Sequence, residues 1–293
     1  MEDIRIDEVK QPKRLWEILD VMKDAWQMKD YTEAVPPHLL RAVQDNGGLL
    51  LVAYDGNEII GFVFGIIGRE NNMFYHYSHM VGVKRRYRGK GVGLKLKLAQ
   101  REWAIRNGYN LVMWTYDPYQ GLNAKFNFTK LGVICNRYYK NYYGVMKDGI
   151  NKGMISDRFK VEWWVNSRFV IDRINRKGNL FPDVKGIFTR AELVVETLID
   201  KDGDRMVSNV NLNSSSKFIL IEIPSDINVL KEKSIRKAND WKLKLRPVFE
   251  EYFRRGYYTV DFISLKENDE RRNFYLLVKE KKERILNGEF LED

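Results

Sequence analysis

The chain has 293 residues, 44% of them hydrophobic, and a formal net charge of +10. These values exclude a disordered chain and favour two globular domains over one. Cys135 is the only cysteine, and no stretch has the composition of a secretion leader or a membrane span. We therefore expect an unexported cytoplasmic protein with no disulfide framework, no thiolate metal cluster and no membrane segment.

Strand and helix patterns alternate through the first half of the chain. "IRIDEV" alternates as a strand, and Pro12 introduces a helix whose apolar residues recur at helical spacing: Leu15, Ile18, Leu19, Met22 and Trp26. "PPHLLRAVQDNGG" predicts a second helix. "LLLVAYDGNEIIGFVFGII" predicts a hairpin around "DGN", and "MFYHYSHMVGV" predicts a further strand.

The remaining elements of this half follow a glycine-rich stretch. "LKLKLAQREWAIRNG" predicts a helix that ends at Gly108, and "YNLVMWTYDP" predicts a strand. "GLNAKFNFTKLG" predicts a short helix, and "VICNRYYKNYYGV" a closing strand. The order β-α-α-β-β-β-α-β-α-β predicts an α/β (α+β) domain within about 147 residues.

The glycine-rich stretch is "VGVKRRYRGKGVG", Val81–Gly93, which carries five cationic side chains. A glycine-rich turn between a strand and a helix presents backbone N–H groups to an anion, and the helix dipole adds to the attraction. The spacing fits neither a dinucleotide fingerprint nor a P-loop. It does fit R-x-x-G-x-G at Arg86, Gly89 and Gly91. We therefore predict a phosphate cradle.

In its strand-to-helix context, this motif resembles the pyrophosphate-binding motif of the GNAT family of acyl-CoA-dependent N-acyltransferases. "GLNAKFNFTKLGV" is similar to the family's N-x-x-A-x-x-x-Y-x-x-x-G-F segment, with Ala124 and Gly132 in place. The resemblance covers residues 1–147 and implies the GNAT fold there, with a mixed central sheet. The whole chain most resembles a little-described two-lobed branch of predicted acetyltransferases.

The resemblance implies that acetyl-CoA, or another acyl-CoA, lies where the fourth and fifth strands splay apart. It assigns the pantetheine and the thioester carbonyl to amides at Val81, Gly82 and Val83. The remaining donor-site residues follow from the motif and the next helix segment: Arg86, Arg88, Gly89, Lys90, Gly91, Val92, Gly93 and Asn123. Lys84 and Arg85 would add positive charge at the rim. No metal is expected.

Direct transfer to an amine needs a base for the ammonium proton and an acid for the departing thiolate. An imidazole suits the base, and two histidines lie in "YHYSHM". Strand alternation puts His79 on the face of Val81 and Val83, and His76 on the other face unless a bulge intervenes. We predict His79 as the base, with a packed structural histidine as the alternative. Asp117 is the competing carboxylate, or a turn residue.

The general acid is the point at which this chain departs from the family pattern. Phe128 replaces the usual tyrosine, and Gly121 replaces the motif asparagine. Nearby tyrosines offer substitutes: Tyr116, Tyr119, Tyr138, Tyr139, Tyr142 and Tyr143. We take Tyr139 as the candidate acid.

Residues 148–293 faintly echo the first half. "LVVETLIDKDGDRMVSNV" predicts another hairpin, with "DKDGD" as a turn and not a calcium loop. "WKLKLRPVFEEYFRRGYYTVDF" predicts a helix and a strand. "IEIPSDINVLKEKSIRKAN", between the hairpin and this helix, lacks glycine, so we expect no phosphate cradle in this half. We predict an α/β lobe, either a degenerate GNAT-like copy that shapes the acceptor pocket or an unrelated arrangement. "SDRFKVEWWVNSRF" predicts a buried aromatic strand, with an acceptor-site lining as the alternative.

The sequence therefore predicts an acetyl-CoA-dependent N-acetyltransferase that acts on an amine of a small molecule or peptide. Two alternatives remain open: a CoA-binding module without catalysis, and a nucleic-acid-binding protein that uses the basic cluster at residues 84–90. Nucleic acid is the less favoured partner because most basic residues alternate with acidic ones. Whether the chain forms a homodimer is left open.

Overall fold

The computed structural model describes residues 4–176, 180, 184–267 and 270–291. It divides into a first unit, Met1–Trp114 with Lys147–Lys152, and a second unit, Thr115–Met146 with Gly153–Asp293. The predicted domain boundary at residue 147 stays a prediction. No helix in the part of the chain that the structure describes is long and apolar enough to cross a membrane.

The first unit is a mixed sheet between helices, as predicted. Its α-helices and strands in chain order are β1 (Arg5–Glu8), α1 (Leu15–Trp26), α2 (Pro37–Asp45), β2 (Leu49–Asp55), β3 (Glu58–Glu70), β4 (Met73–Val83), α3 (Val92–Arg106) and β5 (Leu111–Tyr116), whose last two residues belong to the second unit. The strand order is β1-β2-β3-β4-β5. Neighbours from β1 to β4 are antiparallel, whereas β4 and β5 are parallel.

Helices cover both faces of this sheet, which explains why β2 reads as a continuous apolar run. Leu50 and Val52 pack with the apolar stripe of α1, whereas Leu51 and Ala53 pack with Leu96 of α3. Because successive side chains of β2 point to opposite faces of the sheet, this strand contributes to the core on each face. It fixes α3, and with it the predicted cradle, against one face of the sheet.

The second unit contains the remaining α-helices and strands that the structure describes. They are α4 (Gly121–Ala124), β6 (Tyr138–Tyr139), β7 (Arg158–Trp164), α5 (Arg168–Arg176), α6 (Val184–Arg190), β8 (Ala191–Leu193), β9 (Val195–Ile199), β10 (Arg205–Val210), β11 (Phe218–Ile223), α7 (Ile227–Lys233), α8 (Ile235–Arg254), β12 (Tyr257–Glu267), β13 (Glu270–Lys279) and α9 (Lys282–Asn287). A π-helical stretch, Lys125–Leu131, continues α4. The main sheet has the order β12-β13-β11-β8, and β9 and β10 form a separate pair.

Several predicted elements of this unit are present, and one is much shorter than expected. β7 is a buried aromatic strand, and β9 and β10 flank the predicted "DKDGD" turn. The closing strand predicted from "VICNRYYKNYYGV" is reduced to β6 and isolated bridges at Ile134 and Cys135. Asn141 and Gly144 have φ angles of 48° and 64°, a left-handed conformation that breaks an extended strand. The hairpin β9–β10 also stands apart from the main sheet, unlike β2–β3, so the degenerate-copy interpretation stays a prediction.

Candidate functional site

The predicted cradle lies between β4 and the first turn of α3. Gly89 and Gly91 have φ angles of 75° and 81°, and Gly91 is the residue that caps α3. Side chains adopt this conformation only with strain, so glycine suits both positions. A Cβ added at either glycine has no neighbour within 4 Å among the described residues. The backbone is therefore open in front of the first N–H groups of α3, which have no acceptor within their own helix.

The two residues after Gly91 already belong to α3. Val92 is buried and packs in the core with Leu96, so its backbone, not its side chain, faces the cradle. A Cβ on Gly93 would lie 4.0 Å from Val83, which is an ordinary contact. Space alone therefore does not require glycine at position 93.

The cationic side chains of the cradle are tied to carboxylates in the same unit. Glu58 accepts hydrogen bonds from Lys84 Nζ at 2.7 Å and from Arg86 Nη2. Asp24 accepts the backbone N–H of Arg85 at 2.6 Å and its Nε at 3.1 Å. The basic cluster is thus partly neutralised within the fold, which weighs against its use as a nucleic-acid surface.

Of the two remaining cations, Arg88 hydrogen-bonds to an uncharged group and also interacts with the charge of Asp24, and Lys90 lies beside an aromatic ring. Arg88 donates through Nη2 to the carbonyl oxygen of Ala25 at 2.5 Å, which fastens the segment to the end of α1. Lys90 Nζ lies 5.2 Å from the centre of the Tyr87 ring and is solvent-exposed. Lys90 remains at the surface, as Arg86 does, and an incoming phosphate can reach both side chains.

β4 contains a bulge at His79. Met80 pairs with Phe64 and Ser78 pairs with Gly65, so His79 is an extra residue on β4. The expectation that His79 shares a face with Val81 and Val83 is therefore wrong, because the bulge shifts the alternation by one residue.

The side-chain contacts agree with this shift. His76 and Ser78 contact Gln100 of α3, and Val81 and Val83 pack in the core that contains Leu96 of α3. His76 thus lies on the face that the two valines use. The ring of His79 lies instead 6.1 Å from that of Phe64, which belongs to the core of α1.

β4 and β5 pair only over a short stretch of the described chain. His76 pairs with Val112 and Tyr77 with Met113, after which β4 continues to Val83 and pairs with no further residue of β5 among the described residues. The two strands therefore separate after Tyr77, as the family resemblance implies. Ser78 and Trp114 are the first residues beyond this last pair.

A buried polar network lies at this fork. Gln100 Nε2 lies 2.9 Å from His76 Nε2, and Gln100 Oε1 accepts from Lys97 Nζ at 2.5 Å and from Ser78 Oγ at 3.1 Å. Lys97 Nζ also lies 3.7 Å from the centre of the Trp114 ring. These contacts give His76 Nε2 the role of acceptor and place the ring proton on Nδ1. That buried nitrogen has no hydrogen-bond partner among the described residues.

The two histidines of β4 have different environments. Burial lowers the pKa of His76 to about 3, and nearby Lys97 contributes to the shift. His76 is therefore a neutral, packed side chain 4.9 Å from the Trp103 ring. His79 is solvent-exposed, but partial desolvation by its neighbours lowers its pKa below the usual value. At neutral pH its imidazole is free to accept a proton.

Asp117 lies in the second unit within a cluster of buried charges. Its Oδ2 lies 2.6 Å from Lys242 Nζ and 3.8 Å from Arg158 Nη1, and its Oδ1 accepts the N–H of Tyr119 at 2.9 Å. Lys242 is fully buried. These contacts are those of a turn residue in a buried ion pair. They favour the interpretation of Asp117 as a turn residue over that of a catalytic base.

The candidate tyrosines of the second unit fall into two groups. Tyr116 and Tyr119 are buried, and their hydroxyls bond to Tyr275 and to Tyr138, whose own hydroxyl donates to Asp157. Burial raises the pKa of Tyr116, Tyr119 and Tyr138. The solvent-exposed group is Tyr139, Tyr142 and Tyr143, with Tyr143 bonded to Thr115 at 2.8 Å.

Phe128 and Asn123 complete the set of predicted residues. Phe128 is fully buried, and its ring centre lies 5.6 Å from that of Tyr275. The residue at the family's tyrosine position is thus part of a core. Asn123 is exposed in the single turn of α4, and its role in acyl-CoA binding stays a prediction.

The family comparison agrees with the fold and the motif. Residues 13–132 match the model described as the acetyltransferase (GNAT) family. This segment is a GNAT acetyltransferase domain. It contains β2 to β5, the cradle and α4. The identification covers this segment and not the remainder of the chain.

Solved structures of acetyltransferases are among those similar to this chain. The NatC complex bound to Gag peptide and CoA is 17% identical over 55% of this chain and 97% of that chain, with a TM-score of 0.45. A GNAT-family acetyltransferase from Streptococcus pneumoniae is 16% identical over 55% and 98%, with a TM-score of 0.44. An N-acetyltransferase from Staphylococcus aureus Mu50 is 19% identical over 56% and 100%, with a TM-score of 0.41. Comparison with curated proteins finds no match.

Residues beyond those predicted also shape the GNAT domain. Glu58 and Asp24 give no sequence signal, because acidic residues at a turn and on a helix surface are common. Lys97 and Gln100 do give one: they lie with Val92, Leu96 and Ala104 at helical spacing, so two polar residues occupy the buried stripe of α3. Polar residues in an apolar stripe indicate a buried network.

Proposed function

We propose that the protein is an acetyl-CoA-dependent N-acetyltransferase that transfers the acyl group directly to an amine of a small molecule or peptide. The observation that carries this proposal is the cradle. Two left-handed glycines open the backbone in front of α3, directly after a bulged strand that separates from its neighbour. An anion is stabilised there by backbone N–H groups and the helix dipole.

The proposed cofactor role follows from this geometry. The backbone from Arg88 to Gly93 would hold the pyrophosphate, and the amides of Val81 to Val83 would bond the pantetheine. A backbone N–H that the bulge frees from the ladder can stabilise negative charge on the thioester oxygen. The rest of the acyl-CoA follows the gap between β4 and β5.

We propose His79 as the general base. The bulge places its ring outside the regular alternation, it is exposed, and its lowered pKa keeps it neutral at pH 7. It would take the proton of the attacking amine while the carbon–sulfur bond breaks and CoA leaves as a thiolate. Tyr139 remains the proposed acid, and the exposed Tyr142 is its nearest alternative. Asp117 is the weakest of the predicted catalytic residues because its carboxylate is held by Lys242.

A CoA-binding module without catalysis is the second candidate. Phe128 favours it, because this phenyl ring is buried at the position where the family has its acid and carries no proton to donate. Release of CoA thiol from acetyl-CoA, measured with a panel of primary amines, separates the two candidates. Thiol release above the uncatalysed rate supports the transferase. Binding without release supports the module.

The cradle itself is tested by replacing Gly91 with valine. Gly91→Val should weaken acetyl-CoA binding at least about tenfold, because the side chain keeps the phosphate from the backbone. Gly108→Val is the matched control, since Gly108 also has a positive φ, 77°, and open space but lies at the other end of α3. Both variants carry the same backbone strain. Equal affinity of the two variants in calorimetry would show that the cradle is wrongly assigned.

A further inference from the structure

Glu58, the first residue of β3, is a carboxylate that contacts the segment leading into the cradle. Its carboxylate accepts hydrogen bonds from Lys84, Arg86 and Tyr87, which all belong to the stretch before Gly89. These hydrogen bonds, that from Lys84 first, lower the pKa of Glu58, so the carboxylate is ionised at neutral pH. A permanent anion therefore pairs with Arg86 of the R-x-x-G-x-G motif and with Lys84, which precedes the motif.

The ion pair is placed where a ligand can exchange with it. The side chain of Arg86 is 65% exposed and that of Glu58 is 35% exposed. Surface ion pairs contribute little stability and reorganise without unfolding the protein. Arg86 has further N–H donors beyond the one directed at Glu58, and Lys84 can redirect a single ammonium group. A phosphate at the cradle would thus meet two cations, Arg86 and Lys84, that already pair with Glu58.

We infer that Glu58 determines the affinity of the cradle for phosphate-bearing ligands by competing with them for Arg86 and Lys84. The inference rests on the proposed function, since it takes the phosphates of acyl-CoA as the ligand. An internal competitor weakens the binding of substrate and product alike, and it favours release of free CoA. Glu58 sets the affinity for phosphate-bearing ligands in this account and does not touch the reacting atoms.

The opposite role makes the opposite prediction. If Glu58 serves to orient Arg86 toward the phosphate, then removing its charge weakens binding. If the ion pair is only a surface contact, then removing the charge leaves binding unchanged. The direction of the change therefore decides among three roles.

The test is Glu58→Gln, which removes the charge and keeps the shape. We expect about fivefold tighter binding of CoA in calorimetry, the effect of losing one surface competitor. The gain should shrink at roughly 0.5 M salt, because screening weakens exposed charges. Asp45→Asn is the matched control: Asp45 is an exposed carboxylate paired with Arg41 in the same unit, and its loss should leave CoA affinity unchanged. Unchanged or weaker binding in Glu58→Gln overturns the inference.

A second ligand separates this inference from the proposed function. Inorganic pyrophosphate carries only the charge that the cradle would bind, and it should also bind more tightly to Glu58→Gln than to the parent. If the parent binds no CoA, the proposed function fails, and the pyrophosphate comparison alone decides the role of Glu58. If Glu58→Gln binds pyrophosphate no more tightly than the parent and Asp45→Asn do, Glu58 does not compete with phosphate.

Discussion

Lys97 has the most unusual environment of the single residues around β4. It is buried within the first unit, and its ammonium position is bonded to Gln100 and Ser78 and faces the Trp114 ring. The aromatic face favours the charged form by about 1 kcal/mol. Burial opposes it more strongly and lowers the pKa of Lys97 well below its usual value. The side chain therefore holds the fork between β4 and β5 at a cost in stability.

We expect Lys97→Met to stabilise the protein at pH 7 by about 1 kcal/mol or more, since methionine fills similar space without a buried amine. Ser78 and Gln100 remain bonded to each other, so neither polar group is orphaned. The measurement is urea unfolding at several pH values.

The pH dependence gives this prediction its control. Between the lowered folded pKa of Lys97 and the unfolded value near 10.5, only the unfolded chain binds the proton, so parent stability rises with pH. The advantage of Lys97→Met should therefore shrink as pH approaches the unfolded value. Lys95→Met, at an exposed position of the same helix, should show no such trend. A constant difference across the range would mean that Lys97 is charged in the folded protein.

His79→Ala should lower turnover by about 10²-fold or more while leaving acetyl-CoA affinity nearly intact, as loss of a general base does. The base must be neutral, and partial desolvation by its neighbours lowers the pKa of His79 below 6.5. The acid limb of kcat/KM in the parent should thus have its midpoint below that value and disappear in the variant. His38→Ala, at another exposed histidine, is the control. A wild-type pH profile in His79→Ala would assign the limb to another group.

At the level of elements, the bulge in β4 depends on the glycine opposite it. Gly65 pairs with Ser78 just where the register shifts. A Cβ on Gly65 would lie 2.4 Å from His76 Nε2 and 2.8 Å from the carbonyl oxygen of Tyr77. The backbone oxygen cannot move without disturbing the ladder. Gly65 thus lets β3 approach the strand that carries both histidines.

We expect Gly65→Ala to destabilise the protein by about 1–3 kcal/mol, the usual effect of overpacking a core. Gly93→Ala should have the opposite sign, since its added Cβ is only in ordinary contact and alanine is the better helix former. Urea unfolding of both variants measures the difference. Equal stabilities would mean that the sheet adjusts at Gly65 more easily than its neighbours suggest.

Elements with a clear period were predictable from the sequence, whereas breaks in the period were not. The apolar spacing of α1 and the "DGN" hairpin gave the right elements, because burial on one face fixes the pattern. The bulge at His79 was only a possibility, since an inserted residue leaves no compositional trace. The cradle glycines were readable from their spacing. The carboxylates that pair with the neighbouring cations, Glu58 and Asp24, were not, because pairing between residues distant in sequence depends on tertiary structure.

At the scale of the whole molecule, the chain passes from one compact unit to the other within β5. Residues 115–146 belong to the second unit, although family resemblance covers residues 1–147. Within that unit, Ile134 shares a core with Phe274 and Leu276, and Trp163 Nε1 donates to the carbonyl oxygen of Leu131 at 2.7 Å. The helix segment of the family motif is therefore packed by chain that lies far beyond it in sequence.

This packing predicts how a fragment of residues 1–147 behaves. The fragment keeps Phe128, Leu131 and Ile134, which are fully or almost fully buried in the intact chain, but lacks the strands β12 and β13 that cover them in their own unit. Each exposed apolar side chain costs about 1.5–3 kcal/mol, so we expect aggregation or partial unfolding. A fragment of residues 1–114 omits these side chains and should be the more soluble of the two despite being shorter. Size-exclusion chromatography and acetyl-CoA calorimetry on both fragments measure this. A monomeric 1–147 fragment with full activity would show that its motif helix folds without the rest of the second unit, and that the remaining chain is an independent appendage.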